Sequence, residues 1–284
     1  MFQYFFDKEK KPLFEHAHPP ELTRFVISND PQWSSGYHLH KNELELIYVA
    51  KGKAHLTLES SHYDLQEGDI AFIEPGNIHT LSSDHNHPVT TWACAITNFQ
   101  IKGLRALTLS QPDTCPVTSL GAYHALIRGI FDSIHNALES NEQVAIQISN
   151  HLASILATTF YEIFKDSPRK KITSSRASSL KHVMIFLNDN YNQKITIENL
   201  AQQFHLSESY LCHNFKKEYH ISPIRYVITR RITEAKMLLA NSNQNLSAIA
   251  EKIGYDNVEH FIKLFIKYVG CTPSQYHQQH KNTT

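Results

Sequence analysis

Leu246-Ser247-Ala248-Ile249-Ala250-Glu251-Lys252-Ile253-Gly254-Tyr255-Asp256-Asn257 decides how this chain is read, because its outline occurs once before. In Ile197-Glu198-Asn199-Leu200-Ala201-Gln202-Gln203-Phe204-His205-Leu206-Ser207, the residues Leu200, Ala201 and Phe204 stand where the later stretch has Ile249, Ala250 and Ile253, at a spacing of 49. Beyond the turn the spacing becomes 50, in Leu211/Phe261, Phe215/Phe265, Lys217/Lys267, Pro223/Pro273 and Tyr226/Tyr276. A unit of two helices and a tight turn therefore occurs twice, with one extra residue in the second turn. Such a unit reads as a helix-turn-helix, whose second helix can enter a DNA major groove. Two of them predict a chain that grips two neighbouring grooves, about 10 bp apart centre to centre.

The turn chemistry agrees with that reading. A turn of this kind often uses Gly to reach positive φ, and Gly254 supplies it in the second unit. In the first unit the place falls to His205, a residue type that tolerates this region better than most. Ser207 is suited to cap the first recognition helix, and Ser222-Pro223 to open a long helix towards Ala240 that joins the units. Leu211, Phe215, Phe261 and Phe265 should face the core. That leaves Ser209, Cys212, His213 and Lys216 outward on the first recognition helix, and Asn257, Val258, Glu259, Ile262 and Lys263 on the second. His213 and Lys263 are candidates for base-edge hydrogen bonds, and Glu259 could accept from cytosine. Val258 and Ile262 offer apolar contact, while Lys216, Lys217 and Lys267 suit phosphates. For any one of these polar residues the bland alternative is a solvated helix face.

Charge supports the division. The chain is balanced, with 27 Lys/Arg and 27 Asp/Glu among 284 residues. Residues 1–175, however, carry 14 against 19, and residues 176–284 carry 13 against 8. A basic C-terminal third attached to an acidic remainder suits a DNA-binding domain joined to something else. No apolar run is long enough to span a bilayer, and the start lacks the order of a secretory signal, so a cytoplasmic protein is expected. The four cysteines are scattered without a Cys-x-x-Cys pair, which fits a reducing compartment.

Upstream, the chain from Trp33 to about Ile96 reads as short strands separated by turns. Glu45–Ala50, Ala54–Leu58, Ile70–Ile73 and Thr90–Thr97 are the strands, and Lys51-Gly52-Lys53, Gly68-Asp69 and Pro75-Gly76-Asn77 are turns. That pattern argues a sandwich or small barrel. Residues 1–30 give no clear periodicity. Leu120, Tyr123, Leu126, Ile127, Ile130, Phe131, Ile134 and Leu138 share one helical face, as do Ile148, Leu152, Ile155, Leu156, Phe160, Ile163 and Phe164. These two long helices could cover the barrel or form a dimer interface. The expected fold is α+β with two domains: a barrel over 1–112, a helical dimerisation or cover segment over 113–165, a polar linker over 166–176, and an all-α domain over 177–284.

Ile249-Ala250-Glu251-Lys252-Ile253-Gly254-Tyr255 followed by Phe261 to Tyr276, together with Ser209-Tyr210-Leu211-Cys212-His213-Asn214-Phe215-Lys216-Lys217-Glu218, resembles the AraC/XylS family of transcription regulators over about 100 residues. The resemblance implies seven helices with two helix-turn-helix motifs, sequence-specific binding near promoters, and activation through RNA polymerase. The family usually has Arg at or near the positions of His213 and Lys263.

The strand region, through Gly36-Tyr37-His38-Leu39-His40-Lys41-Asn42-Glu43-Leu44-Glu45 and Gly68 to His79, resembles a cupin barrel, especially the sensor domain of AraC-type sugar regulators. His38, His40, Glu45 and His79 stand where cupin enzymes hold a metal, and His-x-His on one strand puts both rings on one face. The motif departs from the enzyme pattern: Gly36 is too close to His38, and Pro75-Gly76 replaces Pro-x-Gly. The reading prefers pocket-lining for these four, then a structural role, then a metal site; no resident metal or cofactor is expected. Arg24, Trp33, His38, His40, Glu45, Tyr48, His79 and Trp92 are the candidates for an effector pocket, a sugar needing both polar partners and an aromatic face. For Trp33, Tyr48 and Trp92, ordinary barrel core is the competing role. The chain is expected to be a ligand-responsive, homodimeric transcription regulator rather than an enzyme, and an activator of carbohydrate-use genes. The alternatives are a cupin metalloenzyme fused to a DNA-binding domain, and a regulator of this type with no small-molecule effector.

Overall fold

The computed structural model describes residues 12–15, 20–29, 35–59, 61–84, 86–112, 114–140, 142–167, 179–242 and 244–281. Trp33 and linker residues 168–176 lie outside the described residues. Among the described residues the N-terminal half holds eight strands: β1 (Glu21–Ser28), β2 (Leu44–Lys51), β3 (Lys53–Leu58), β4 (Ser61–Gln66), β5 (Asp69–Ile73), β6 (His79–Ser83), β7 (Thr90–Thr97) and β8 (Val117–Ser119). They form two antiparallel sheets, ordered β1-β7-β2-β5-β8 and β4-β3-β6.

The apolar run in β2 has a physical reason. Its sheet is covered on both faces, so neither parity of the strand meets water. Leu44, Leu46 and Tyr48 pack towards the helices α1 (His124–Leu138) and α2 (Glu142–Phe164), in a core with Phe72, Phe131 and Phe160. Ile47 and Val49 point the other way, into the space between the sheets, with Leu56, Leu65, Ile73 and Leu81. Glu45 has the parity of Ile47 and Val49 and stands at the end of that inter-sheet core. Strand β1, unexpected from the sequence, pairs along β7 with a register shift between Leu22 and Arg24. That shift breaks the two-residue alternation by which a strand is recognised.

The helical stripes are wider than the barrel can cover. Ile127, Ile130, Phe131 and Ile134 of α1 are buried, as are Leu156, Phe160 and Phe164 of α2. Tyr123, Leu126, Leu138, Ile148 and Ile155, expected on the same buried faces, are instead exposed, and Val144 and Ile146 join them.

The C-terminal half holds α3 (Ser179–Asp189), α4 (Ile197–Gln203), α5 (Glu208–Tyr219), α6 (Pro223–Asn241), α7 (Leu246–Lys252), α8 (Val258–Val269) and α9 (Pro273–Lys281). Two cores form around the long α6. Tyr226 and Val227 pack with Leu187, Leu200, Leu211 and Phe215. Ile232, Ala235 and Leu239 pack with Ile249, Ile253, Phe261 and Phe265. Ser222 caps α6, its hydroxyl accepting from the Arg225 amide at 3.4 Å, with Pro223 in the first turn. Among the described residues no helix is long and apolar enough to cross a membrane.

Candidate DNA interface and the histidine cluster beside it

Each helix-turn-helix is fixed by a capped recognition helix and a left-handed turn. Ser207 Oγ accepts from the Tyr210 amide at 3.2 Å, and Asn257 Oδ1 accepts from the His260 amide at 2.9 Å. His205 takes φ 54° where Gly254 takes 91°. The correspondence repeats at the far ends of both recognition helices: His220 (φ 56°) closes α5 where Gly270 (φ 87°) closes α8. Leu211 and Phe215, like Phe261 and Phe265, are fully buried. Hence the opposite faces of α5 and α8 are held towards solvent.

On those faces Ser209, His213 and Lys216 of α5 are exposed, and Cys212 is half-buried. On the second unit Glu259 and Lys263 of α8 are exposed, with Asn257 at its N-cap. Val258 and Ile262 are half-buried and pack against the second core, so their outward apolar surface is smaller than the sequence suggested. Asn257 spends its carbonyl oxygen on the cap, which leaves its amide group as the part free to read a base. Two residues were missed. Tyr210 stands exposed in the first turn of α5, and His260 occupies the corresponding place on α8. Their spacing of 50 was the available signal.

The second arrangement lies at the barrel's edge. His38 and His79 pair through an isolated antiparallel bridge, with amide-to-carbonyl distances of 3.0 and 2.9 Å. This brings together the rings of His38 and His79 (centroids 4.1 Å apart) and of His38 and His40 (4.9 Å), with Glu45 beneath them. His79 is 1 % exposed and Glu45 8 %. One donor atom from each of His38, His40, Glu45 and His79 lies within 4.8 Å of the others. Arg24 leans in from β1, its guanidinium 3.0 Å from His40 Nε2, 3.5 Å from Glu43 and 3.6 Å from Glu45.

Burial and neighbouring charges set the protonation of His38, His40 and Glu45. Burial pushes the imidazole of His40 down to about 3, Arg24 adding to the effect while Glu45 opposes it. Burial and the neighbouring His79 hold His38 well below its ordinary value. For Glu45 burial alone acts upward, but His79, His40 and His38 outweigh it and keep the carboxyl well below the usual range. A neutral imidazole at His38 and His40 and an ionised carboxylate at Glu45 are the protonation states in which such groups ligate.

Among the described residues, the aromatic candidates Tyr48 and Trp92 lie away from the cluster. Tyr48 has the opposite parity to Glu45; its hydroxyl meets His124 Nε2 at 3.1 Å and its ring lies against Phe131. Trp92, opposite Tyr48 in register, packs edge-on to Phe25 and Phe131 under the helices. So both belong to the helix-facing core, for the reason that a strand sends successive side chains to opposite faces. Arg24, His38, His40, Glu45 and His79 remain together.

Comparison with known proteins agrees with this architecture. Residues 23–156 match the family described as "AraC-like ligand binding domain", and residues 200–279 match "Helix-turn-helix domain". The chain is 43% identical to the uncharacterized HTH-type transcriptional regulator YdiP of Escherichia coli (strain K12), across 99% of this chain and 94% of that one. This chain belongs to the AraC-type transcriptional regulators. It is also 27% identical to the lactose operon transcription activator of Staphylococcus xylosus, over 81% of this chain and 82% of that one. With the raffinose operon regulatory protein RafR of Pediococcus pentosaceus it shares 32% over 44% of this chain and 46% of that one.

In this AraC-type regulator the sensor side and the DNA-binding side share a core. Tyr37, Leu39 and Ile78 of the barrel edge pack with Leu180, Val183, Met184 and Leu187 of α3 and with the first helix-turn-helix. Lys181 Nζ reaches Glu59 at 2.9 Å, and Lys41 pairs with Asp189. Glu59 Oε1 also accepts from the Ile78 amide at 3.1 Å, tying the bridge to the histidine cluster.

Proposed function

We propose that this regulator is a cytoplasmic homodimer that reads two successive major-groove segments per chain and changes its DNA affinity when a small molecule binds the barrel side. The observation that carries the reading is the duplicated, capped recognition helix, each copy with one face buried in its own core and the other exposed. His213 and Lys263 are the base-reading side chains, with Ser209, Cys212, Glu259, Tyr210 and His260 around them. Lys216, Lys217 and Lys267 hold phosphates. Recruitment of RNA polymerase follows from the family. Regulation of carbohydrate-use genes is supported by relatives named for lactose and raffinose operons. The reading assigns no catalytic step; a turnover lost with His38→Ala/His40→Ala would revive the metalloenzyme alternative.

Support for the dimer comes from α2. Val144, Ile148 and Ile155 form an outward apolar stripe, and Ser154, Ile155, Thr158 and Thr159 line a shallow groove of about 220 Å³ beside it. A second copy of α2 presents the ridge that such a groove takes.

The test is selection of bound fragments from a random DNA pool, followed by footprinting. Protection of two segments about one helical turn apart supports the reading. Retention without sequence preference refutes it. A thermal-shift panel of sugars on the full chain tests the effector class, since only a ligand of the folded state raises the melting point.

A further inference from the structure

We infer that His38, His40, Glu45 and His79 form a site for one divalent transition-metal ion, and that the ion stiffens the barrel edge on which the first helix-turn-helix is docked. This rests on the regulator reading above and deepens it by naming an effector class for the cluster.

These four residues stand where cupin enzymes hold a metal, so the residues present must be tested against an ion. Three observations fit. First, the tautomers are set from behind. A carbonyl oxygen can only accept, so His38 Nδ1–H donates to Gly36 O at 2.9 Å and His79 Nδ1–H to Asn77 O at 3.1 Å. Both Nε2 lone pairs are thereby turned inward, as metal-bound imidazoles require. Second, His79 Nε2 and Glu45 Oε2 lie 2.8 Å apart, both buried and neither with any other hydrogen-bond partner. A contact that close needs a positive centre on the pair, which a proton or a metal ion supplies. Third, the spacing suits an ion. Donors at about 2.1 Å from a tetrahedral Zn²⁺ stand about 3.4 Å apart, inside the 4.8 Å within which these four donor atoms lie. Three imidazoles and one carboxylate are a borderline donor set that suits Zn²⁺, Ni²⁺, Fe²⁺ or Co²⁺.

Arg24 is the competing cation. It pairs with Glu43 and Glu45 from an edge strand, is one-third exposed, and can swing out when an ion arrives. The coupling follows from alternation. His38 and His40 face the cluster while Tyr37 and Leu39, between and beside them, are packed into the core of the first DNA-binding unit; Ile78 does the same next to His79. Moving the ligands moves the docking residues.

The experiment uses the full chain, stripped with a chelator and titrated with Co²⁺ and Zn²⁺. One equivalent of Co²⁺ should bind with the visible absorption of a four-coordinate site, and Zn²⁺ should displace it. Glu45→Gln, which keeps the shape, should lose stoichiometric uptake; Arg24→Gln should bind more tightly. Zn²⁺ should slow hydrogen exchange at the Ile78 and His79 amides and along α3. Absent uptake, or uptake unchanged in Glu45→Gln, overturns the site. Uptake without slowed exchange overturns the coupling. Fragment retention from the DNA pool, measured on the same stripped and loaded samples, separates the two readings. DNA bound selectively with no metal uptake sinks the metal site alone, whereas metal uptake with no selective DNA binding sinks the regulator reading.

Discussion

Replacing Gly254 by Ala should cost about 3 kcal/mol of stability, and the structure shows where that cost arises. Gly254 sits at φ +91°, and a Cβ there would lie 2.2 Å from Asn192 O and 2.6 Å from its carbonyl carbon. The left-handed conformation alone costs an L-residue about 1–2 kcal/mol. The overlap is with backbone, so a neighbouring turn must move, which adds about 1–3 kcal/mol. That turn is itself clamped: Arg231 donates to Tyr191 O at 2.6 Å and to Gln193 O at 2.7 Å while lying 4.8 Å over the Tyr255 ring. Because Tyr191–Gln193 belongs to the first unit's loop and Gly254 to the second unit's turn, the substitution also shifts one recognition helix against the other. Urea unfolding of Gly254→Ala, read as a change in midpoint at constant slope, measures the loss. His205→Gly is the matched control: relief of about 1 kcal/mol of left-handed strain is offset by Gly's backbone entropy of about 0.5–1 kcal/mol, leaving it near neutral. A Gly254→Ala loss under about 1 kcal/mol, or an equal loss from His205→Gly, would refute the reasoning.

Lys263→Ala should weaken the selected DNA by about 1–3 kcal/mol and relax preference at one base position, whereas Lys267→Ala should weaken all sequences alike and reduce the slope of log K against log salt by about 1; fluorescence anisotropy on matched and mutated duplexes separates them. Ile155→Glu places a charge on the exposed stripe of α2, where Ile155 is 45 % exposed, and should yield a monomer by analytical ultracentrifugation with its melting point little changed; a persistent dimer places the interface elsewhere. Acid should destabilise the chelator-treated protein. His40 is depressed from 6.5 to about 3 by burial first, so below about pH 6.5 the unfolded chain binds a proton that the folded one refuses. Stability falls by up to about 1.4 kcal/mol per pH unit from that group as pH drops. Denaturant midpoints at pH 7.5 and 5.5 should show the loss, reduced in His40→Gln; an unchanged midpoint would mean the ring is not buried in solution.

The DNA-binding half was legible because its signals are local. Turn residues, caps and the period of Leu211/Phe215 and Phe261/Phe265 all lie within one unit, and duplication shows them twice. The barrel strands were legible where turns bracket an apolar run, as at Ile70–Ile73 and Thr90–Thr97. Strand β1 was not, since its bulge scrambles the alternation. The candidate cluster was half legible: His38 and His40 announce a shared face by spacing, and strand parity sets Tyr48 opposite Glu45, but nothing local tells which of the two faces meets the helices.

By itself, then, the sequence determined the two helix-turn-helix units, the basic reading surface they present, and the existence of a barrel before them, because each rests on short-range periodicity and backbone preference. Only the tertiary structure decided that Tyr48 and Trp92 face the helices, that β2 is buried on both sides, and that Tyr37, Leu39 and Ile78 close the core of the first DNA-binding unit. Those facts depend on which sheet face meets which neighbour. An apolar residue carries the same desire for burial whichever side it finds, and so cannot state its partner in advance.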